Sequence, residues 1–157
     1  MDTMEKQIEK IVDTILADYD CGRDIDRIDL HCLPDRDVVV DMIEKLRRIV
    51  FPGFSREKNY RIYNARHNLS MLMEDVMFNL SRQIAKVLGD EEKGKELSLS
   101  FFNQIPKVRA MVQTDLQAAF DGDPAASGKE EIIFSYPGLF AITVYRLAHE
   151  LHILDVP

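Results

Sequence analysis

The chain has 157 residues, about the size of one ordinary domain, and hydrophobic residues make up 46% of it. Charged residues make up 30%, a balance that excludes a disordered or fibrous chain. Twenty Lys and Arg against 27 Asp and Glu give a net charge of -7, which disfavours nucleic acid and anionic membranes as partners. No apolar stretch reaches the roughly 20 residues of a membrane span and no secretory signal follows Met1, so we expect one cytoplasmic domain over residues 1–157.

The N-terminal region predicts an amphipathic helix and a connection. Apolar residues fall on one helical face between Met4 and Tyr19. Residues 21–33 keep no sustained period, which suits a surface connection or a short irregular helix. Without a signal peptide, Cys21 and Cys32 are expected to be reduced thiols.

Two further helices are expected in the next stretch. Pro34 suits the first turn of the second helix, because its missing N–H has no partner to lose there. Phe51-Pro-Gly53 ends that helix. The third and longest helix is expected from about Asn59 to Leu88, with Gly89 as its C-terminal cap.

A fourth helix and a fifth helix follow, separated by a proline. Asp90 is expected as the N-cap of the fourth helix, and Pro106 predicts a break or kink after it. Gly122 is expected to take a left-handed cap at the end of the fifth helix. Pro124 pushes Asp123 out of helical geometry, so the sequence predicts a turn with a fixed carboxylate.

The C-terminal stretch predicts two more helices. Ser127 and Glu130 have the spacing of a capping box before a short helix. The last helix is expected to begin near Pro137, and its expected packing seam is Phe140, Val144, Leu147, Leu151 and Leu154. No alternating strand pattern is visible, so the fold class is all-α, a multi-helix bundle of about six to eight helices.

Familiar catalytic signatures are absent from the sequence. It contains no phosphate-binding glycine loop, no GxSxG motif and no HExxH motif. The two histidines of His149-Glu-Leu-His152 are three residues apart, where a zinc helix needs four, and no further ligand is suggested. We therefore expect structural or surface histidines and no metal site.

Asp115 is the first acidic residue with a candidate role. It is in phase with the apolar face of the fifth helix, where an unpaired carboxylate would be destabilising. It either forms a structural ion pair, with Arg109, with Arg146 or with a helix terminus, or it lines a pocket.

Asp123 is the stronger candidate for a site. Because Pro124 restricts its backbone, its carboxylate is preset in a turn and can receive an ammonium group with little loss of conformational entropy. A Gly-Asp-Pro turn is more often structural, however, and spacing alone does not decide between the two.

A family resemblance bears on that choice. The segments that carry it are Asp115-Leu-Gln-Ala-Ala-Phe-Asp-Gly-Asp-Pro-Ala-Ala126, Ser135-Tyr-Pro-Gly138 and Tyr145-Arg-Leu-Ala-His149. Together they resemble the end of the N-terminal helical domain of serine O-acetyltransferases. In that family a left-handed parallel β-helix follows, and the active site lies between neighbouring β-helices of a trimer. The resemblance covers this whole chain but only the front half of such a protein, so the β-helix domain is expected to be absent from it.

The resemblance implies specific roles for the candidate residues. Asp123, with Pro124, would contact the substrate serine. Asp115, Arg146 and His149 are candidate supporting residues. Tyr145, Arg146 and His149 match the family's helix and would serve mainly as scaffold and interface residues. The family's catalytic histidine, its partner aspartate and its coenzyme A groove belong to the β-helix, so no catalytic residue and no bound cofactor is expected in this chain.

The implied reaction is acetyl transfer from acetyl-CoA to L-serine, which gives O-acetyl-L-serine and CoA in the first step of cysteine biosynthesis. Residues 1–157 alone are expected to be inactive. The implied partners are other copies of the chain, as a trimer or a dimer of trimers, and O-acetylserine sulfhydrylase. The alternative is a stand-alone helical protein-interaction module without catalysis.

Overall fold

The computed structural model describes residues 3–23, 33–54 and 65–157. These residues contain seven α-helices, one short 3₁₀ turn and no strand, which confirms the all-α bundle. Every helix among them is too short or too polar to cross a membrane. The chain forms two compact units, Met1–Cys32 and Leu33–Pro157. The expectation of a single domain stays a prediction.

The first unit contains α1 (Thr3–Tyr19), the amphipathic helix that the sequence predicts. No described side chain of this helix is buried. Its apolar stripe is 45% to 67% exposed at every position: Met4, Ile8, Ile11, Val12, Ile15, Leu16 and Tyr19. Cys21 carries an exposed free thiol, whereas Cys32 and most of the connection lie outside the described residues.

The second unit begins with α2 (Arg36–Val50), which Asp35 caps. Oδ1 of Asp35 accepts the backbone N–H of Asp37 at 3.0 Å and that of Val38 at 3.2 Å. Pro34 therefore precedes the cap, and the expectation that it sits in the first turn is wrong. The aspartate takes the helix start because its side chain satisfies donors that a proline cannot. The helix ends at Val50 with Phe51 as its C-cap residue, as the Phe51-Pro-Gly53 segment predicts, and a 3₁₀ turn follows over Pro52–Phe54.

Helices α3 (Ala65–Leu88) and α4 (Glu91–Asn103) form a tight hairpin. Gly89 has φ +71° and donates its N–H to the carbonyl of Ala85 at 2.8 Å, which confirms it as the C-terminal cap. Asp90 accepts the N–H of Lys93 at 3.0 Å and is the N-cap of α4, also as predicted. The expected start of the third helix, at Asn59, lies outside the described residues.

Gly94 allows the two helices of this hairpin to approach each other closely. A Cβ at this position would lie 2.5 Å from the backbone oxygen of Ser81 and 3.2 Å from Cβ of Ala85. We expect Gly94→Ala to lose about 1–3 kcal/mol of unfolding free energy, because the backbone of α3 must shift. Urea unfolding measures this loss. Gly138→Ala is the matched control, since nothing lies within 4 Å of its added Cβ, and equal losses in both variants would contradict the prediction.

Helix α5 (Ile105–Gly122) begins after a break at Gln104, as Pro106 predicts. Gly122 does not take the left-handed conformation that the sequence suggests, because α5 continues through it with helical geometry. Asp123 follows with φ -120° and ψ 98°, the extended backbone expected of a residue before Pro124. The restriction imposed by the proline ends the helix without a glycine cap.

Helix α6 (Lys129–Ser135) is present, but its predicted capping box is wrong. The N-cap is Gly128, so the third helical position belongs to Glu131 and not to Glu130. Oε2 of Glu131 accepts the backbone N–H of Ser127 at 2.8 Å and its hydroxyl at 2.6 Å. Ser127 and a glutamate do form hydrogen bonds at the start of the helix, but the glutamate is one residue later in the chain than the capping-box spacing predicts.

Helix α7 (Pro137–Ile153) begins where the sequence predicts. It packs mainly on α5, and its buried residues are Leu139, Thr143, Leu147 and Glu150. Of the expected seam, Leu147 is buried and Leu151 and Leu154 are partly buried against the core, so this part is confirmed. Phe140 and Val144 do not belong to the described core cluster, so the N-terminal part of the seam is wrong. Phe140 is 39% exposed, and the guanidinium of Arg47 lies 4.6 Å from its ring centroid. The buried side chains of α2 to α7 form one core cluster.

Candidate functional site

The corner between α5 and α6 places a half-buried carboxylate at a helix end. Asp123 is the C-cap residue of α5, and its carbonyl accepts the N–H of Ala126 at 3.1 Å, which closes the turn. Its Oδ1 accepts the backbone N–H of Ala125 at 2.9 Å. Its Oδ2 accepts the hydroxyl of Tyr136 at 2.6 Å. No Lys, Arg or His among the described residues forms an ion pair with Asp123, so its charge is not neutralised by them.

These hydrogen bonds widen the pH range over which Asp123 is ionised and Tyr136 is neutral. The hydroxyl of Tyr136 and then the N–H of Ala125 lower the pKa of Asp123. The same bond raises the pKa of Tyr136 from 10.0 to about 12. The contribution of this bond to stability is therefore lost only as the pH falls through the lowered pKa of Asp123 or rises through about 12. At neutral pH the pair is a fixed carboxylate with a neutral donor.

Asp115 lies in a different arrangement, an ion pair between α5 and α7. Its Oδ1 accepts from Nη2 of Arg146 at 3.0 Å, and its Oδ2 accepts from Nε at 3.2 Å. This bidentate geometry favours the ion-pair interpretation of Asp115 over the pocket-lining one. Among the described ion pairs, Asp115 is paired with Arg146 and not with Arg109. Arg109 lines a groove of about 580 Å³ between α5, α6 and the 3₁₀ turn.

His149 takes part in a row of rings along α7. Its ring stacks on that of Tyr145 with centroids 5.8 Å apart, and the ring of His152 lies 6.4 Å away. Among the residues that the structure describes, no group of three or more His, Cys, Asp or Glu side chains could hold a metal ion. No described hydrogen bond or ion pair joins Asp123 to Asp115, Arg146 or His149. A supporting role for these three residues stays a prediction.

Tyr136 is the residue that the sequence analysis missed. It belongs to the Ser-Tyr-Pro-Gly segment, but nothing in the spacing joins it to an aspartate 13 residues earlier. One signal for Tyr136 was present in the sequence, namely Pro137, which restricts the backbone of the residue before it and ends α6. The site is thus a pair of residues, each held by a following proline.

Comparison with known proteins connects this corner to a family. The family model described as serine acetyltransferase, N-terminal, matches residues 60–144, which include Asp115, Asp123 and Tyr136. A plasmid serine acetyltransferase of Synechococcus elongatus is 29% identical over 140 residues, which are 80% of this chain and 44% of that protein. Serine acetyltransferases of Synechocystis sp. and Bacillus subtilis are 42% and 45% identical over 43 and 42 residues, each 27% of this chain.

The chain spans less than half the length of these relatives: 44%, 17% and 19% of each is aligned. The family model covers more than half of the chain, and the all-helical fold agrees with an N-terminal helical domain. This chain belongs to the serine acetyltransferase family, of which it carries the N-terminal helical part.

Proposed function

We propose that the protein to which this chain belongs transfers the acetyl group of acetyl-CoA to the hydroxyl of L-serine. The serine oxygen forms a bond to the acetyl carbon, the thioester bond breaks, and the serine proton passes through a general base to the sulfur of CoA. The products are O-acetyl-L-serine and CoA, in the first step of cysteine biosynthesis. The relatives named as serine acetyltransferases support this proposal.

The role of this chain in the reaction is to bind the serine, not to perform the transfer. The observation that carries this proposal is the Asp123 carboxylate, which is fixed by two hydrogen bonds and lacks a described cationic partner. A preset anion of this kind binds the ammonium group of an amino acid without reorganisation. Pro124 contributes by holding the backbone of Asp123 extended. The general base and the CoA groove are proposed to lie in the β-helix that follows in similar proteins.

A homo-oligomer, as a trimer or a dimer of trimers, is part of the same proposal. The exposed apolar stripe of α1 supports it, because helices in proteins draw most of their stability from packing such a face. A cytoplasmic location and an O-acetylserine sulfhydrylase partner also remain proposals. The alternative, a stand-alone helical interaction module, is not favoured, because the relative that aligns with 80% of this chain is named as an enzyme.

Acetyl transfer by the complete protein tests the function. We expect CoA release from acetyl-CoA that depends on L-serine, with none from L-alanine, which lacks the hydroxyl. We expect residues 1–157 alone to release no CoA above the background rate, since the general base is proposed to lie elsewhere. A complete protein without serine-dependent transfer would overturn the function. Turnover by residues 1–157 would overturn the division of roles.

A further inference from the structure

Tyr136 is held rigidly at the junction of two helices. It is the C-cap residue of α6, where its N–H donates to the carbonyl of Ile132 at 3.1 Å. It is also the N-cap residue of α7, which begins at Pro137. Its side chain is half-buried and packs against the core cluster. The hydroxyl therefore has a defined position relative to the corner.

The carboxylate of Asp123 receives one donor on each oxygen, from different parts of the chain. Ala125 lies in the same turn, so its N–H fixes Oδ1 locally. Tyr136 lies 13 residues further on and fixes Oδ2 at 2.6 Å. Two donors on two oxygens set the rotation of the carboxylate plane, which one donor would leave free. Each oxygen keeps a second acceptor position, so the carboxylate can still bind an ammonium group.

The electrostatic surroundings keep this arrangement in one protonation state. Tyr136 remains a neutral donor over a wider pH range than an ordinary tyrosine, because its hydrogen bond to Asp123 raises its pKa to about 12. The negative charge of Glu131 also acts to raise the pKa of Tyr136. The negative charge of Asp123 acts to raise the pKa of Glu131. The corner thus holds two carboxylates close enough to influence each other. A cationic group entering it is attracted, whereas a second anion is repelled.

We infer that Tyr136 is a positioning residue for serine binding: its hydroxyl aims the carboxylate of Asp123 at the ammonium group of the substrate. This inference rests on the proposed function. The phenol ring is not required for it, since the ring packs on the core and only the hydroxyl reaches Oδ2. Tyr136→Phe removes the donor and keeps the ring.

Steady-state kinetics of the complete protein test the inference. We expect Tyr136→Phe to raise the KM for L-serine about fivefold, which is the effect of losing one hydrogen bond. The kcat and the KM for acetyl-CoA should change less than about twofold, because the chemical step lies elsewhere. Carbon-detected NMR titration should show the pKa of Asp123 rising in the variant. Tyr145→Phe is the matched control, since its hydroxyl makes no described hydrogen bond and its ring stacking on His149 is kept.

A second variant separates orientation from charge. Asp123→Glu keeps the negative charge but moves the carboxylate by one methylene, so we expect it to raise the KM for serine as well. An unchanged serine KM in Tyr136→Phe, together with a raised one in Asp123→Asn, would overturn the inference and leave the proposed site intact. An unchanged serine KM in Asp123→Asn would overturn the proposed site and the inference together.

Discussion

Lys107→Met is expected to lose about 3 kcal/mol of unfolding free energy, because it leaves a buried carboxylate without its cation. The side chain of Glu150 is 2% exposed, whereas that of Lys107 is 52% exposed. Nζ of Lys107 lies 2.8 Å from Oε1 and 3.1 Å from Oε2, and only the longer contact has hydrogen-bond geometry. Oε1 has no hydrogen-bond partner in the described part of the chain, so the ammonium charge alone stabilises it.

The size of the effect follows from the asymmetry of the pair. Exposed ion pairs contribute about 0–1 kcal/mol, since water solvates both partners. Removing one partner of a buried pair destabilises by about 3–5 kcal/mol. The lower end of that range applies here, because water reaches Lys107 and already weakens its attraction to Glu150.

Urea unfolding followed by circular dichroism measures the loss, and two controls locate its cause. Lys95→Met breaks an exposed pair with Glu92, whose side chains are 63% and 86% exposed, and should change stability by less than about 1 kcal/mol. The double variant with Lys107→Met and Glu150→Leu should recover most of the stability, because no charge is left buried. Equal losses in Lys107→Met and Lys95→Met would show that Glu150 does not depend on its partner.

Local signals in the sequence predicted most of the helices and several of their ends. Asp90 and Gly89 cap the helices that their spacing predicts, since capping depends on atoms within a few residues. The errors at Pro34 and Glu130 are shifts of one or two residues, in which a neighbouring side chain proved the better cap. Local chemistry thus predicts the presence of a helix start more reliably than it predicts the exact residue at which the helix begins.

Contacts between distant residues were harder to predict. The face of α7 that packs on α5 contains Thr143 and Glu150, which a search for apolar spacing passes over. Thr143 is buried because its hydroxyl donates to the carbonyl of Leu139 at 2.7 Å, and Glu150 because Lys107 neutralises it. Both depend on partners that apolar periodicity does not describe, so the predicted seam includes Phe140 and Val144 where Leu139 and Thr143 are the buried residues.

The candidate site also combines a local feature that could be predicted with a long-range contact that could not. The extended backbone of Asp123 could be predicted, because Pro124 acts on the residue before it. The hydrogen bond from Tyr136 could not, because it requires α6 to return the chain to the corner. Asp115 is intermediate between these two cases. The sequence left open an ion pair or a pocket-lining role, and the packing of α7 places Arg146 as its ion-pair partner.

Asp123→Asn is expected to raise the KM for L-serine in the complete protein by about 10-fold to 100-fold. A hydrogen bond to a charged group contributes about 1.5–3 kcal/mol, and each 1.4 kcal/mol corresponds to a factor of ten. The amide of asparagine keeps the shape of the carboxylate but has one acceptor oxygen and no charge. The donors from Ala125 and Tyr136 then compete with the substrate for that oxygen.

Asp121→Asn removes the same charge two residues earlier and is the matched control. Asp121 is exposed, and its Oδ1 accepts from Nε2 of Gln117 at 2.6 Å, so it lies near the corner without forming it. A general effect of negative charge would raise the serine KM similarly in both variants, and added salt would reduce both effects. If the ammonium group contacts Asp123 directly, the serine KM rises in Asp123→Asn alone. That increase persists in added salt, because the ammonium group lies inside the hydration shell of the carboxylate. Equal KM values for Asp123→Asn and the unsubstituted protein would place the serine elsewhere.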